Sequence, residues 1–225
     1  MNKAYTIIIP IYNEISRLQS LLSFLEEYSW EGHEILIVND GSNDGSEKVL
    51  RRCQFIKLIN LSTNKGKGTA IIKGLQSALN EKVIIFDGDL ELNPLDIKKL
   101  FKLNRKNKIF CIIGSRFKKL SPYKSTWNFG NYIFTLLFNL LFNTNQSDVL
   151  CCAKAFYKED IHPNNLKSAK FDIDIEILAI LTKKYKKIDT ILIDYKRRTE
   201  KQGKKISYFD SINILKRILA IKYNL

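Results

Sequence analysis

Residues 83–91 read Val-Ile-Ile-Phe-Asp-Gly-Asp-Leu-Glu, an apolar run that ends in three acidic side chains. The apolar part predicts a buried strand of a parallel sheet, because such strands are covered on both faces. At its end Asp87 and Asp89 stand two residues apart, so both carboxylates can reach one hard divalent cation, which prefers oxygen ligands. Such a cation could bridge the phosphates of a nucleotide. Taken alone, the pair is equally typical of a turn.

Short apolar runs alternate with helical patterns on both sides of this stretch. The apolar runs predict strands at residues 5–10, 34–39, 55–60, 82–87 and 109–114. The amphipathic patterns between them predict helices at residues 15–28, 43–52, 68–79 and 94–103. This alternation predicts an α/β fold with a mostly parallel central sheet flanked by helices. Ligands of such sheets bind outside the carboxyl ends of the strands.

The second half of the chain has a less regular pattern. We predict helices at residues 124–143, 171–184 and 207–223 and strands at residues 149–157 and 188–195. In the last helix one face carries Tyr208, Ile212, Leu215 and Leu219. Residues 196–205 are predicted to form a basic loop. Because no repeat or low-complexity linker interrupts the chain, we predict one domain over residues 1–225.

The charge balance favours an anionic partner. The 37 Lys and Arg residues exceed the 23 Asp and Glu residues, which gives a net charge of +14. This excess favours nucleic acid, a phosphorylated substrate or an anionic membrane surface. Nucleic acid is the least favoured of the three, because no recognised nucleic-acid module is present and acidic strand ends repel a phosphate backbone.

Cysteine usage and the start of the chain indicate a cytoplasmic protein. Cys53, Cys111, Cys151 and Cys152 lack the spacing of metal ligands, and only two histidines could complete a zinc site. We therefore expect four reduced thiols. No signal peptide opens the chain and no apolar run reaches membrane-spanning length.

Four predicted strand ends in succession carry polar, turn-forming residues. They read Ile-Pro-Ile-Tyr-Asn-Glu at 9–14, Val-Asn-Asp-Gly-Ser at 38–42, Asn-Lys-Gly-Lys-Gly at 64–68 and Asp-Gly-Asp at 87–89. Any one of them is typical of an ordinary loop, but the four in this order and spacing are not. Over nearly its whole length, the chain resembles the family 2 glycosyltransferases, which have the GT-A fold.

The resemblance implies a nucleotide-sugar site in residues 1–115. The base and ribose would be held by Pro10, Tyr12, Glu14 and Asp40. The glycine loop would bring Lys67 to a phosphate and allow close backbone approach at Gly68. Asp87-Gly88-Asp89 would be the metal-binding motif, with Mg²⁺ or Mn²⁺ as the cofactor. Glu91 would add charge to the metal site or cap the helix that follows.

A narrower resemblance lies in the second half of the chain. Residues 114–117 (Gly-Ser-Arg-Phe), 148–156 (Asp-Val-Leu-Cys-Cys-Ala-Lys-Ala-Phe) and 171–174 (Phe-Asp-Ile-Asp) resemble the dolichyl-phosphate mannosyl- and glucosyltransferases and their bacterial polyprenyl-phosphate counterparts. Three positions depart from that pattern: Cys152 replaces a usual Gly, Asp174 a usual Glu and Glu91 a frequent Gln. The resemblance implies that residues 116–225 bind the acceptor.

The implied acceptor is a polyprenyl phosphate. Arg116 would grip its phosphate through a planar fork of donors. Further candidates for this contact are Lys124, Arg197, Arg198 and Lys205. An anionic acceptor needs no strong general base, whereas a hydroxyl acceptor does, and Asp172 or Asp174 would then serve. Otherwise these two acids orient Arg116 or cap a helix. Together with Asp89 and Arg116 they complete the predicted catalytic set.

The implied reaction is inverting transfer of a hexose from a donor of the UDP-glucose or GDP-mannose type to the polyprenyl phosphate. A divalent metal would act as a Lewis acid on the leaving diphosphate. One alternative is transfer to a sugar hydroxyl of a cell-envelope glycan. A second is a nucleotidyltransferase, although the glycine- and arginine-rich opening loop of that class is missing. A third, a binding protein without activity, is disfavoured by the intact acid pair.

Residues 127–142 carry large apolar side chains suited to a membrane surface. The aromatic ones are Trp127, Phe129, Tyr132, Phe134, Phe138 and Phe142. For half of them, core packing is at least as good an explanation. Many relatives carry transmembrane helices after the catalytic domain. Since none occurs before Leu225, we expect peripheral contact with the cytoplasmic face of a membrane, or an integral-membrane partner protein.

Overall fold

A seven-stranded sheet runs through the part of the chain that the structure describes. The structure is a computed structural model covering residues 4–118, 123, 125–185, 187–198 and 208–223, without the side chains of Trp127, Tyr208 and Phe209. The strands are β1 (Tyr5–Ile11), β2 (Glu34–Asn39), β3 (Ile56–Asn60), β4 (Lys82–Ile85), β5 (Cys111–Ser115), β6 (Lys154–Tyr157) and β7 (Asp189–Leu192). Their order across the sheet is β3-β2-β1-β4-β6-β5-β7.

Among these seven strands, only β6 runs against its neighbours. β1 pairs in parallel with β2 and β4, which places Ile9 beside Ile37 and Ile8 beside Ile85. The pairs β2–β3 and β5–β7 are also parallel, whereas β6 is antiparallel to both β4 and β5. The predicted α/β fold with a mostly parallel sheet is confirmed. Strands from both halves of the chain join in this one sheet.

Helices cover both faces of the sheet. They are α1 (Ile15–Trp30), α2 (Ser46–Leu50), α3 (Lys67–Ser77), α4 (Thr126–Phe142), α5 (Ile173–Lys184) and α6 (Tyr208–Tyr223). Successive side chains of a strand point to opposite faces. Ile7 and Ile9 of β1 therefore pack in the core on the α1 side, whereas Ile8 packs in the core on the α3 side. A third apolar cluster joins α4, α5 and α6 around Phe138 and Ile218.

Two elements differ most from the sequence pattern. The amphipathic stretch at 94–103 is not an α-helix but a 3-10 helix at Pro94–Leu100. The strand predicted at 149–157 is reduced to Lys154–Tyr157. Its first half instead turns, because the N–H of Cys151 donates to the carbonyl of Asp148 at 3.4 Å. That turn brings Val149, Cys151 and Cys152 into the core without adding them to the sheet.

The last helix, α6, packs through a different face from the one that the sequence singled out. Ile214 and Ile218 are buried between α4 and α5. The exposed side chains include Ile212, Leu215 and Leu219. The side chain of Tyr208 lies outside the described residues. No helix in the described ranges has both the length and the apolar character needed to cross a bilayer.

Candidate active site

The carboxyl ends of β1, β2 and β4 open onto a cleft of about 580 Å³, a volume typical of small-molecule sites. Its lining includes these predicted site residues: Pro10, Tyr12, Glu14, Asp40, Lys67, Asp87, Gly88, Asp89, Glu91, Arg116, Asp174 and Arg197. The opposite wall comes from the second half, with Phe134, Phe171 and Ile214. Gly68 and Asp172 are not among the lining residues, and Lys124 and Lys205 fall outside the described residues.

The loops after β1 and β2 are tied together and to the glycine loop. The N–H of Asn13 donates to Oγ of Ser42 at 2.9 Å. Asn13 has a φ of 51°, a left-handed conformation that Asn tolerates better than most residues. The carboxylate of Asp40 accepts the N–H groups of Lys65 and Gly66, both at 2.8 Å. Asp40 thus fixes the glycine loop, and its contact with a nucleobase stays a prediction.

The glycine loop packs closely against the second half of the chain. A Cβ on Gly68 would lie 2.2 Å from the carbonyl oxygen of Ser168, and one on Gly66 would lie 2.4 Å from that of Ala169. The N–H of Thr69 donates to the same Ala169 oxygen at 3.2 Å. The absence of a side chain at Gly68 is therefore required by the protein's own backbone, whereas the sequence predicted close approach to a phosphate.

Glu176 of α5 holds the other side of this contact. Its buried carboxylate accepts the N–H of Lys167 at 3.0 Å and that of Ser168 at 2.8 Å. Charge-assisted hydrogen bonds of this kind hold the loop in place, and Nη1 of Arg217 lies 3.9 Å from Oε1 of the same carboxylate. Sequence reasoning missed this residue. The signal available was an acidic side chain on the apolar side of a helical pattern.

Lys67 joins the acid pair to the second half of the chain. Its Nζ lies 2.8 Å from Oδ1 of Asp87 and 2.8 Å from Oδ2 of Asp174. The other carboxylate oxygen of Asp174 lies 3.4 Å from Nζ of Lys154, which is fully buried. The contact of Lys67 with a phosphate stays a prediction; within the chain, Lys67 pairs with these two carboxylates. The sequence pattern predicted no role for Lys154.

These contacts shift the pKa values of the two acids in opposite directions. Burial raises the pKa of Asp87, and the nearby Asp89 and Asp174 add to the rise against the opposing charge of Lys67. Burial also acts to raise the pKa of Asp174, but Lys67 and Lys154 outweigh it and lower that pKa. Asp174 is therefore a firmly ionised partner of two lysines.

Arg198 gathers the remaining acids of the cleft. Its Nη2 lies 2.7 Å from Oδ2 of Asp89, its Nη1 3.0 Å from Oε2 of Glu14 and its Nε 3.4 Å from Oε1 of Glu91. Burial raises the pKa of Asp89, Arg198 opposes this, and Glu91 and Glu14 add to the rise. The sequence predicted Arg198 at the acceptor phosphate and Glu14 at the nucleotide. The structure brings the two together.

The three acids predicted as metal ligands are not gathered into one site. In the described part of the chain, no three His, Cys, Asp or Glu side chains converge as they would for a metal ion. Asp87 contacts Lys67, whereas Asp89 and Glu91 contact Arg198. The donor chemistry nevertheless fits a hard cation, because carboxylate oxygens are the ligands that Mg²⁺ and Mn²⁺ take.

Arg116 lies in the cleft with its charge already balanced. Its Nε and Nη2 donate to the two carboxylate oxygens of Asp148, both at 2.7 Å. The side chain of Asp148 is fully buried. Contact of Arg116 with an acceptor phosphate stays a prediction. Asp172, predicted as a base or as a partner of Arg116, instead lies 3.3 Å from Nε of Arg217 on α6. Arg197 donates to Oγ of Ser125 at 3.2 Å.

A family model decides where this arrangement belongs. The model described as glycosyl transferase family 2 matches residues 6–163, which include all four strand-end motifs and Asp148. The chain belongs to glycosyl transferase family 2. It is a glycosyltransferase, and the GT-A fold expected from its motifs agrees with the observed sheet and helices.

Similar members of family 2 act on lipid phosphates by name. The chain is 28% identical over 247 residues to a dolichyl-phosphate beta-glucosyltransferase of Dictyostelium discoideum, which covers 97% of this chain and 73% of the relative. It is also 33% identical over 106 residues to an undecaprenyl-phosphate 4-deoxy-4-formamido-L-arabinose transferase of Aeromonas hydrophila. That alignment covers 44% of this chain and 32% of the relative. The match thus spans about a third of the second relative.

Solved structures of similar fold include a glucosyl-3-phosphoglycerate synthase from Mycobacterium tuberculosis, determined with Mn²⁺, uridine-diphosphate and glucosyl-3-phosphoglycerate. The TM-score is 0.72 at 14% identity, over 98% of this family 2 chain and 80% of the other. At such low identity, this likeness establishes the fold and nothing finer.

Proposed function

We propose that the protein transfers a hexose, with inversion, from a nucleoside-diphosphate sugar to a polyprenyl phosphate. The observation that carries the proposal is the cleft at the strand ends, where the acids that follow β4 meet cations from both halves of the chain. A site built in this way can bind a dianionic diphosphate on one side and an anionic acceptor on the other. The names of the similar curated proteins support the lipid acceptor.

The donor is expected to occupy the half of the cleft formed by the first three strand ends. Pro10, Tyr12 and Asp40 line that half. Tyr12 offers an aromatic face for a base, and Asp40 has lone pairs beyond those that the backbone uses. A nucleoside diphosphate of the uridine or guanosine type is the class that these groups suit.

Asp87 and Asp89 would hold the divalent cation, Mg²⁺ or Mn²⁺, on which we expect activity to depend. When bound, the cation would supply Lewis-acid neutralisation of the leaving diphosphate. Lys67 and Arg198 stand beside these carboxylates, 2.8 Å and 2.7 Å away. Both cations are placed to contact the diphosphate as its charge develops. Electrostatic stabilisation is stronger in a partly buried cleft than in bulk water.

The state of the two candidate bases favours an acceptor that is already anionic. Asp174 has a lowered pKa and is held by Lys67 and Lys154, so it is a poor proton acceptor at neutral pH. Asp172 is engaged with Arg217. A phosphate oxygen needs neither acid as a base, whereas a sugar hydroxyl needs one. Their proposed roles are therefore to position Lys67 and to anchor α5 to α6.

Peripheral contact with the cytoplasmic face of a membrane completes the proposal. The outer side of α4 exposes a stripe of large apolar side chains at helical spacing: Phe129, Tyr132, Ile133, Leu136 and Leu140. Of the aromatic residues that the sequence offered for this contact, Phe129 and Tyr132 are exposed, whereas Phe138 belongs to the core. Exposed apolar side chains combined with a net charge of +14 suit an anionic bilayer.

The test is transfer from labelled UDP-glucose or GDP-mannose, with Mg²⁺ or Mn²⁺, to undecaprenyl phosphate. Undecaprenol without the phosphate is the matched control, and a soluble oligosaccharide tests the hydroxyl alternative. We expect a labelled lipid phosphate and release of a nucleoside diphosphate. Labelled oligosaccharide with no labelled lipid would show that the acceptor is a sugar hydroxyl and not a lipid phosphate. Release of pyrophosphate from a nucleoside triphosphate would instead indicate a nucleotidyltransferase.

A further inference from the structure

One guanidinium group holds a cluster of three acids beside the end of β4. Arg198 is 2.7 Å from Asp89, 3.0 Å from Glu14 and 3.4 Å from Glu91, and only 8% of its side chain is exposed. Arg17 approaches Glu14 at 3.7 Å from α1. Among the described residues, three carboxylates face two cations in this cluster. It is therefore an attractive place for a further positive charge.

We propose that Arg198 is the resident counter-ion of Asp89 in the metal site, and that a divalent cation must displace it from that carboxylate. The inference rests on the proposed function only in taking Asp87 and Asp89 as the metal ligands. Arg198 and a divalent cation have the same sign of charge and seek the same oxygen, Oδ2 of Asp89. Because two cations at contact distance repel in a buried site, they exclude one another there.

Glu14 is the pivot that retains Arg198 when Asp89 is given up. Nη1 of Arg198 donates to both oxygens of Glu14, at 3.1 Å and 3.0 Å, and Glu14 is buried. The backbone is also fixed, since the N–H of Lys196 donates to the carbonyl of Glu91 at 2.8 Å. Releasing Asp89 therefore requires a rotation of the Arg198 side chain and no movement of the backbone at residues 196–198.

This arrangement predicts that metal and nucleotide help each other to bind. Without nucleotide, a cation gains Asp89 only by breaking the contact with Arg198. With nucleotide present, the displaced guanidinium can donate to a diphosphate oxygen instead, so that its charge is paired again. Coupling of this kind is reciprocal, because it is a property of the shared equilibrium.

The test is a titration of the full chain with Mn²⁺ in the absence of nucleotide. Binding is measured from the electron paramagnetic resonance signal of the free Mn²⁺. Arg198→Gln is expected to bind Mn²⁺ at least tenfold more tightly than the unmodified protein. Arg17→Gln is the matched control, because it removes the same charge next to Glu14 without touching Asp89, and its affinity should stay within twofold. Equal or weaker Mn²⁺ binding by Arg198→Gln would overturn the inference.

A second measurement covers the case in which Arg198→Gln does not fold, since it leaves Glu14 buried without its main partner. A crystal of the unmodified protein with Mn²⁺ and UDP should place Nη2 of Arg198 more than 4 Å from Asp89, with Glu14 still in contact. Mn²⁺ on Asp89 with Arg198 unmoved would refute the displacement. Neither experiment uses an acceptor, so a failure of transfer to polyprenyl phosphate would leave both results standing.

Discussion

At the residue scale, each acid of the Asp-x-Asp motif has its own cation. Asp87 is held by Lys67, at the start of α3, and Asp89 is held by Arg198, which follows β7. Both carboxylates nonetheless have a raised pKa, because burial and neighbouring acids outweigh these cations. The two ionised carboxylates therefore lower the stability of the folded protein. Such a cost is typical of groups that are arranged to bind a cation.

Asp89→Asn should abolish metal-dependent turnover without weakening the fold. An acid whose pKa is raised on folding lowers stability at any pH above its unfolded pKa, and that cost disappears when it is protonated. An uncharged Asn removes the same cost at neutral pH. We expect the thermal midpoint to be unchanged or ~2 °C higher, measured by differential scanning calorimetry at pH 7. Full activity of the variant with Mg²⁺ or Mn²⁺ would contradict the metal assignment.

Arg116→Ala should destabilise the fold, so that its activity would not measure acceptor binding alone. The change leaves the fully buried carboxylate of Asp148 without its bidentate partner. Breaking one side of a buried ion pair costs about 3–5 kcal/mol, and urea unfolding should show a loss of this size. The double variant Arg116→Met with Asp148→Leu should recover at least half of it. A stable single variant would mean that water reaches Asp148.

Arg116→Lys separates the acceptor role from this structural one. It keeps the positive charge beside Asp148 but removes the planar fork that suits a phosphate. We expect the KM for undecaprenyl phosphate to rise at least fivefold, with a smaller change in the KM for the sugar donor. An unchanged acceptor KM would show that the phosphate is gripped elsewhere.

At the element scale, the glycine loop and the segment before α5 form one unit. Gly68→Ala would force a Cβ to within 2.2 Å of the Ser168 carbonyl, which Glu176 holds in place. We expect a loss of roughly 2 kcal/mol or more, as for other overpacked sites. The control is Gly130→Ala in α4, where no atom lies within 4 Å of the added Cβ. It should be neutral or stabilising by up to ~1 kcal/mol, since Ala favours a helix. Equal midpoints in urea for the two variants would refute the close contact.

The elements themselves were largely predictable, and the exceptions have physical causes. Apolar runs fixed β1, β2 and β4 because buried parallel strands need little else to specify them. The packed face of α6 could not be read from the sequence, since apolar residues lie on two of its sides and the helix period favours both. The turn at 148–151 was missed because its reason is the pairing of Asp148 with distant Arg116.

At the scale of the whole molecule, the cleft depends on contacts between residues far apart in the chain. The strand-end motifs placed Tyr12, Asp40 and Asp87 correctly at one edge of the sheet, because parallel strands deliver their ends there. The partners of the acids were not predictable. Arg198 meets Glu14 across 184 positions of sequence, and charge pairing over such a separation leaves no local signal.

The membrane proposal is tested on the intact protein with vesicles. Leu136→Ser together with Leu140→Ser should reduce binding to phosphatidylglycerol-rich vesicles at least tenfold in a sedimentation assay, since each lost apolar side chain is worth about 1 kcal/mol or more at an interface. The matched control is Trp30→Ser together with Leu79→Ser, at the end of α1 and just after α3, where the side chains are 76% and 77% exposed; it should bind as the unmodified protein does. Binding should also weaken between 0.05 and 0.5 M salt, by roughly tenfold, because screening removes the attraction of the positive charge. Equal losses in the two double variants would remove α4 from the contact, and absence of binding to any vesicle would favour an integral-membrane partner protein covering that stripe.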